Sequence, residues 1–203
     1  MAHETREILL DVGNTLFMER GYAGTGLQDI LQGAGVPKGS FYHHFGSKEE
    51  FGLQLVERYA AAGLAELERQ LADETLPHLG RLRRFFECAV GGLGEEQCCR
   101  GGCLMGTLGH ELANVSEPIR ERVTALFRRW QGRIEGCLRQ AQEAGELPAE
   151  IDPAQLADYC LLAWEGALQQ MKIQRDTAPL RVFLAVTFGR LLAGATGSAG
   201  PHQ

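Results

Sequence analysis

The chain has 203 residues, 44% hydrophobic and 23% charged, an ordinary globular composition with ample length for a buried core. No apolar run approaches the roughly 18 residues that span a bilayer, and Met1 to Glu7 contains no signal-peptide core; a cytoplasmic protein with no membrane partner is expected. The net charge of −6 excludes a general nucleic-acid coat, so any DNA affinity has to come from a local patch, backbone N–H groups and helix N-termini.

The first helix is expected from about Thr5 to Arg20, with Ile8, Leu9, Val12, Leu16 and Phe17 at helical spacing and Gly21 as its stop. Thr25-Gly26-Leu27-Gln28 reads as a capping box opening a second helix through about Gln32. Gly33, Gly35 and Pro37 then turn the backbone sharply. In the short helix that follows, Phe41 and Phe45 share one face, while Lys38, Ser40, Tyr42, His43 and His44 cover the rest. It is too short to stand alone, so its apolar face must lean on other helices. The hydroxyls, imidazoles and ammonium left outside suit phosphate oxygens and base edges. Ser47-Lys48-Glu49-Glu50 is another capping box, starting a helix that runs from Lys48 to about Leu71. Helix, tight turn, short polar helix and capped long helix read together as a DNA-binding helix-turn-helix. Residues 1–50 carry 4 basic against 7 acidic side chains, a difference of −3, so a single head should bind poorly and dimerisation should help.

The run Val36-Pro37-Lys38-Gly39-Ser40-Phe41-Tyr42-His43-His44-Phe45-Gly46-Ser47-Lys48 closely resembles the helix-turn-helix signature of the TetR/AcrR family of bacterial repressors. The likeness spans about Thr5 to Tyr59. It implies that Thr25, Lys38, Gly39, Ser40, Tyr42, His43, His44 and Lys48 stand where that family contacts double-stranded operator DNA.

Past Pro77 a helix carries Leu82, Phe85, Phe86, Ala89 and Val90, and a glycine-rich break runs from Gly91 to Gly102. Helical period resumes at Cys103. Ser116 with Pro118 opens a long helix striped by Ile119, Val123, Leu126, Phe127, Trp130, Ile134, Leu138 and Ala141, ended by Gly145 and Pro148. Asp152-Pro153-Ala154-Gln155 starts the next, to about Arg175, and Thr177-Ala178-Pro179 the last, through Leu192. These two helices are apolar on more than one face, with Ala163, Gly166 and Ala167 allowing close approach, so each needs two partners. A symmetric four-helix interface between two copies supplies the second, and the family resemblance implies the same homodimer. The expected protein is all-α: a three-helix DNA-binding domain at 1–50, a helical regulatory and dimerisation domain at 51–193, and a flexible tail at 194–203.

Six cysteines without an export signal should be reduced. Cys88, Cys137 and Cys160 fall in or beside apolar stripes and read as inert core. Cys103 follows Gly101-Gly102 at a helix start, where unpaired N–H groups and the helix dipole favour thiolate. Lysine is scarce, at Lys38, Lys48 and Lys172 only, and Lys172 continues the face of Trp164 and Leu168. The body, from Gly101 to Met105 and from Ala167 to Ile173, resembles the N-ethylmaleimide-responsive subgroup of the family. That likeness implies sensing of electrophiles or oxidants at Cys103, with Lys172 on the subgroup's lysine; Cys98-Cys99 just upstream are a departure from it.

Other chemistries fit less well. As a nucleophile Cys103 would lie about 10 Å along a helix from His110, too far for a direct base, so no enzyme is expected. Cys98, Cys99, Cys103 and His110 contain no C-x-x-C pair and adjacent cysteines chelate one zinc poorly; no metal or cofactor is expected. Noncovalent binding of a lipophilic or aromatic inducer among Phe86, Phe127, Trp130 and Trp164 stays open.

Overall fold

The computed structural model describes residues 2–92 and 101–192, and every regular element among them is helical. In chain order these are α1 (Ala2–Arg20), α2 (Leu27–Ala34), α3 (Lys38–His44), α4 (Lys48–Leu71), α5 (His78–Gly91), α6 (Leu104–Leu112), α7 (Glu117–Glu143), α8 (Pro153–Gln174) and α9 (Ala178–Val186), followed by a π-helical turn, Thr187–Leu191. Cys98, Cys99 and the expected tail at 194–203 lie outside the described residues. No helix among those described is long and apolar enough to cross a membrane.

The described chain separates into two compact units, residues 2–62 with 101–126, and residues 63–92 with 127–192. The segment 101–126, distant in sequence, joins the N-terminal helices, and α4 begins in one unit and ends in the other.

In the first unit, Phe17, Phe41, Phe45 and Phe51 are fully buried. Phe51 is their hub, with ring centroids 5.9 Å from Phe17, 5.3 Å from Phe41 and 4.9 Å from Phe45. Each such pair adds about 0.5–1.5 kcal/mol beyond area burial, and it is this cluster that holds so short a helix as α3. Most caps fall where the residue types place them. The Ser47 hydroxyl accepts from the Glu50 N–H at 3.0 Å, while the Glu50 carboxylate reaches one residue further back, to the Gly46 N–H at 2.9 Å. Ser116 Oγ accepts from Ile119 N–H at 3.3 Å, and Asp152 from Ala154 N–H at 2.9 Å.

The start of α2 is different. Its N-cap is Gly26, whose N–H is held by Asp29 at 2.7 Å. Thr25 is 0% exposed, and its hydroxyl donates inward to Gly21 O at 2.8 Å and Leu16 O at 3.3 Å. A threonine hydroxyl one position early finds two backbone acceptors and cannot also cap the helix.

In the second unit, the α5 N-terminus is closed by the Glu146 carboxylate, which accepts from His78 and Leu79 N–H groups at 2.9 Å each. Above it Phe86 packs against Trp164 (5.0 Å), Phe183 (5.0 Å) and Phe188 (5.9 Å). Helices α8 and α9 pack along each other and leave a second apolar face outward, with Leu162 75%, Ile173 67% and Val182 60% exposed.

Candidate nucleic-acid interface and sensing residues

The turn into the reading helix depends on Gly35, in the left-handed region at φ 64°, where its N–H and that of Val36 cap α2 through Gln32 O and Leu31 O at 3.2 and 3.1 Å. Pro37 opens α3, and Ser40 N–H closes the first turn on Pro37 O at 2.9 Å. With Phe41 and Phe45 turned inward, α3 presents Lys38, Gly39, Tyr42 and His43 to solvent, and half-buries Ser40 and His44. Tyr42 is 51% exposed, with the Lys38 ammonium 5.8 Å from its ring centroid. Nothing approaches the space a Gly39 side chain would fill, so the backbone there is open to a close neighbour. The His44 imidazole is held below its ordinary pKa by desolvation first, then by His43 and Arg6. Arg6 itself lies over the Phe45 ring at 5.9 Å and donates to Gln54 at 2.8 Å. It is a cation beside the reading helix that residue spacing did not single out.

Two expected contact residues do other work. Thr25 is inside, and its hydroxyl is committed to backbone carbonyls. Lys48 turns back onto the α1–α2 connection, where Nζ donates to Tyr22 O at 2.6 Å and lies 4.0 Å from the Tyr22 ring centroid. Desolvation lowers its pKa, against which Glu111 and Asp29 pull upward.

Cys103 is the N-cap residue of α6, with Sγ accepting from Gly106 N–H at 3.4 Å, and it is 8% exposed. Tyr59 on α4 donates its hydroxyl to Gly102 O at 3.4 Å, so the turn before the cysteine is anchored on both sides. Lys172, in the last turn of α8, is half-buried and belongs to the second unit.

Cys137 and Cys160 are buried, and burial pushes both thiols up to about 12. Cys137 also donates to His78 O at 3.3 Å. Cys88 is not core: it is exposed on α5, with the Gln70 amide 3.7 Å from its sulfur. At the edge of an amphipathic helix a cysteine one position off the stripe faces water.

Of the four aromatic residues expected around an inducer, Phe86 and Trp164 meet directly. Trp130 joins through Phe85 at 5.7 Å, and Phe127 makes none of these ring contacts. Phe183 and Phe188 complete the cluster instead. Trp130 Nε1 and Thr187 Oγ1 are buried with no hydrogen-bond partner. Among the described residues no group of three or more His, Cys, Asp or Glu is placed to hold a metal ion.

A reading helix held by a phenylalanine cluster after a left-handed glycine turn, joined to a larger all-helical body, defines a helix-turn-helix transcription regulator with a regulatory domain. Residues 9–55 match the family model of bacterial regulatory proteins of the tetR family, and residues 79–187 match the tetracyclin repressor-like C-terminal domain. The chain is 36% identical over 187 residues to the HTH-type transcriptional repressor DhaR of Mycobacterium sp. (strain GP1), covering 92% of each. It is 34% identical over 186 residues to the HTH-type transcriptional repressor NemR of Escherichia coli (strain K12), covering 90% of this chain and 92% of that one. The crystal structure of reduced E. coli NemR superposes with a TM-score of 0.83 at 33% identity, over 92% of this chain and 96% of that one. The chain belongs to the TetR family and is a DNA-binding transcriptional repressor of it, a class whose members act as dimers on DNA operators and answer to small molecules.

Proposed function

We propose that two copies of the chain, paired through α8 and α9, hold a near-palindromic operator and leave it when an electrophile or oxidant modifies Cys103. Each α3 enters the major groove of one half-site, with Lys38, Ser40, Tyr42, His43 and His44 toward phosphates and base edges. The observation that carries the sensing half is the position of Cys103 Sγ, accepting an amide hydrogen at the start of α6. A helix N-terminus favours negative sulfur. The similarity to NemR, found reduced in its crystal structure, supports a redox-active cysteine.

With an activated alkene, thiolate Sγ adds to one carbon, the C=C π bond breaks, and the other carbon takes a proton from water, leaving a thioether. With hypochlorous acid, thiolate is oxidised to sulfenic acid while chlorine leaves as chloride. Either product loses the anionic acceptor for Gly106 N–H. The reaction waits on a brief opening of the Gly101-Gly102 turn, since the sulfur is nearly covered.

A second reading has its own support: Phe86 packs against Trp164, Phe183 and Phe188, and in the same compact unit the donors Trp130 Nε1 and Thr187 Oγ1 are buried without hydrogen-bond partners. That arrangement suits an aromatic inducer bearing an acceptor. An operator gel shift with N-ethylmaleimide, hypochlorite and an inert aromatic such as biphenyl separates the two. Release by the first two alone fits covalent sensing, and release by biphenyl at comparable dose overturns it.

A further inference from the structure

We propose that Glu111 is a latch that passes the state of Cys103 to the reading head, a step that rests on the Cys103 reading above. The cysteine and the glutamate are the two ends of one short helix. Cys103 caps α6, and Glu111 lies in its last turn, eight residues or about 12 Å away along the axis.

Glu111 grips the α1–α2 connection through its backbone. One carboxylate oxygen accepts from Tyr22 N–H at 2.9 Å and the other from Ala23 N–H at 2.8 Å. Gly21, just before them, sits at φ 77°, and a Cβ there would lie 2.2 Å from the Glu111 carboxylate. The glycine is required by its conformation and by the acid pressed against it. From the other side Lys48 donates to Tyr22 O and covers the Tyr22 ring. Tyr22 is therefore held at its N–H by α6 and at its C=O by the first residue of α4.

The connection so gripped leads straight into the helix-turn-helix. Thr25 fastens its far end to Gly21 and Leu16, and α2 begins two residues later. A second tie lies at the other end of the α6–α7 turn, where Ser116 Oγ donates to the Glu49 carboxylate beside Lys48. The buried face of α6, Leu104, Met105 and Leu108, belongs to the same compact unit as α1 to α3. An α6 that shifts or frays when Sγ is alkylated thus cannot do so without loading the Glu111 latch. Charge-assisted hydrogen bonds are short and directional, so a small displacement breaks them. The latch is made in the unmodified protein and lost in the modified one, and that difference in contacts is what biases the head.

The test uses the full-length dimer and fluorescence anisotropy on operator DNA, before and after N-ethylmaleimide, with mass spectrometry confirming Cys103 as the site. Alkylation should weaken wild-type binding within the range of about 5- to 150-fold that typical coupling spans. Glu111→Ala should be alkylated at the same rate, bind operator within about tenfold of wild type, and lose the response, its ratio falling below about threefold. Glu111→Gln, which keeps an acceptor oxygen, should fall between and guards against a misfolded alanine variant. A merely structural glutamate would lower affinity in both states and leave the ratio unmoved. If wild type is released and both variants are released by the same factor, the latch is wrong and the Cys103 reading stands. If wild type with fully alkylated Cys103 is not released, the sensing reading fails and takes the latch with it. Amide exchange at Tyr22 and Ala23 should also speed up on alkylation of wild type; unchanged protection there overturns the latch directly.

Discussion

Replacing Lys48 by methionine separates two roles that its position leaves in competition. On the outside of the head it would be a phosphate contact; in the structure its ammonium donates to Tyr22 O at 2.6 Å and faces the Tyr22 ring at 4.0 Å. A hydrogen bond from a charged donor is worth about 1.5–3 kcal/mol, and a partly desolvated cation–π contact about 1 kcal/mol. Methionine keeps the stem packing and relieves the desolvation that lowers the lysine pKa, which offsets part of the loss. The net expectation is destabilisation by about 2 kcal/mol. The operator salt slope should change by clearly less than the 0.9 per protomer that one lost phosphate contact gives. Urea unfolding at fixed dimer concentration and anisotropy across a salt series read the two quantities separately. An unchanged urea midpoint with a slope reduced by about 0.9 per protomer would refute the inward assignment and return Lys48 to the DNA face.

Tyr42→Phe removes an exposed hydroxyl that touches nothing in the core, so operator binding should weaken by about tenfold per head with the melting temperature unchanged; a lowered melting temperature would point to a structural role. Gly166 is exposed and has no atom within 4 Å of a would-be Cβ. Gly166→Arg should therefore leave the protomer folded yet sediment as monomer, and DNA affinity should fall by about 10²–10⁴ through lost bivalency. An intact dimer would move the interface elsewhere. For Cys137 and Cys160, thiols raised from 9.0 to about 12 mean thiolate fractions about a thousandfold lower near neutrality. Maleimide labelling at pH 7 should spare both and rise about tenfold per pH unit, which residue-resolved mass spectrometry follows. Because folding raises these pKa values, the stability they carry is complete below pH 9 and drains as pH climbs from 9.0 toward about 12. A native state equally stable at pH 8 and pH 11 would contradict that burial.

Local signals were legible in the residues, and distant ones were not. The starts of α3, α4, α7 and α8 follow from Pro37, Ser47, Ser116 and Asp152, because a cap and its donors lie within three residues. Cys103 at the head of α6 follows from Gly101-Gly102 for the same reason. Thr25 misled because a cap and an inward hydroxyl look alike until Leu16 O and Gly21 O are in place. Lys48 lies four residues past the end of α3, and spacing alone does not decide whether its ammonium reaches phosphate or Tyr22 O. Glu111 and Glu146 each seal backbone N–H groups more than 60 residues away, and no periodicity marks such a partner. Phe183 and Phe188 read only as part of an apolar stripe, and the π-helical turn that carries Phe188 has no composition signal of its own.

The most direct measurement of the account compares wild type with Cys103→Ser in a dose series of N-ethylmaleimide on operator-bound protein. Serine keeps the polar cap at the start of α6 but forms no thioether, so the variant should bind operator as wild type does and stay bound at every dose that empties the wild-type complex. Release of the serine variant at wild-type doses would contradict the central claim and make the aromatic cluster around Phe86 the site of induction.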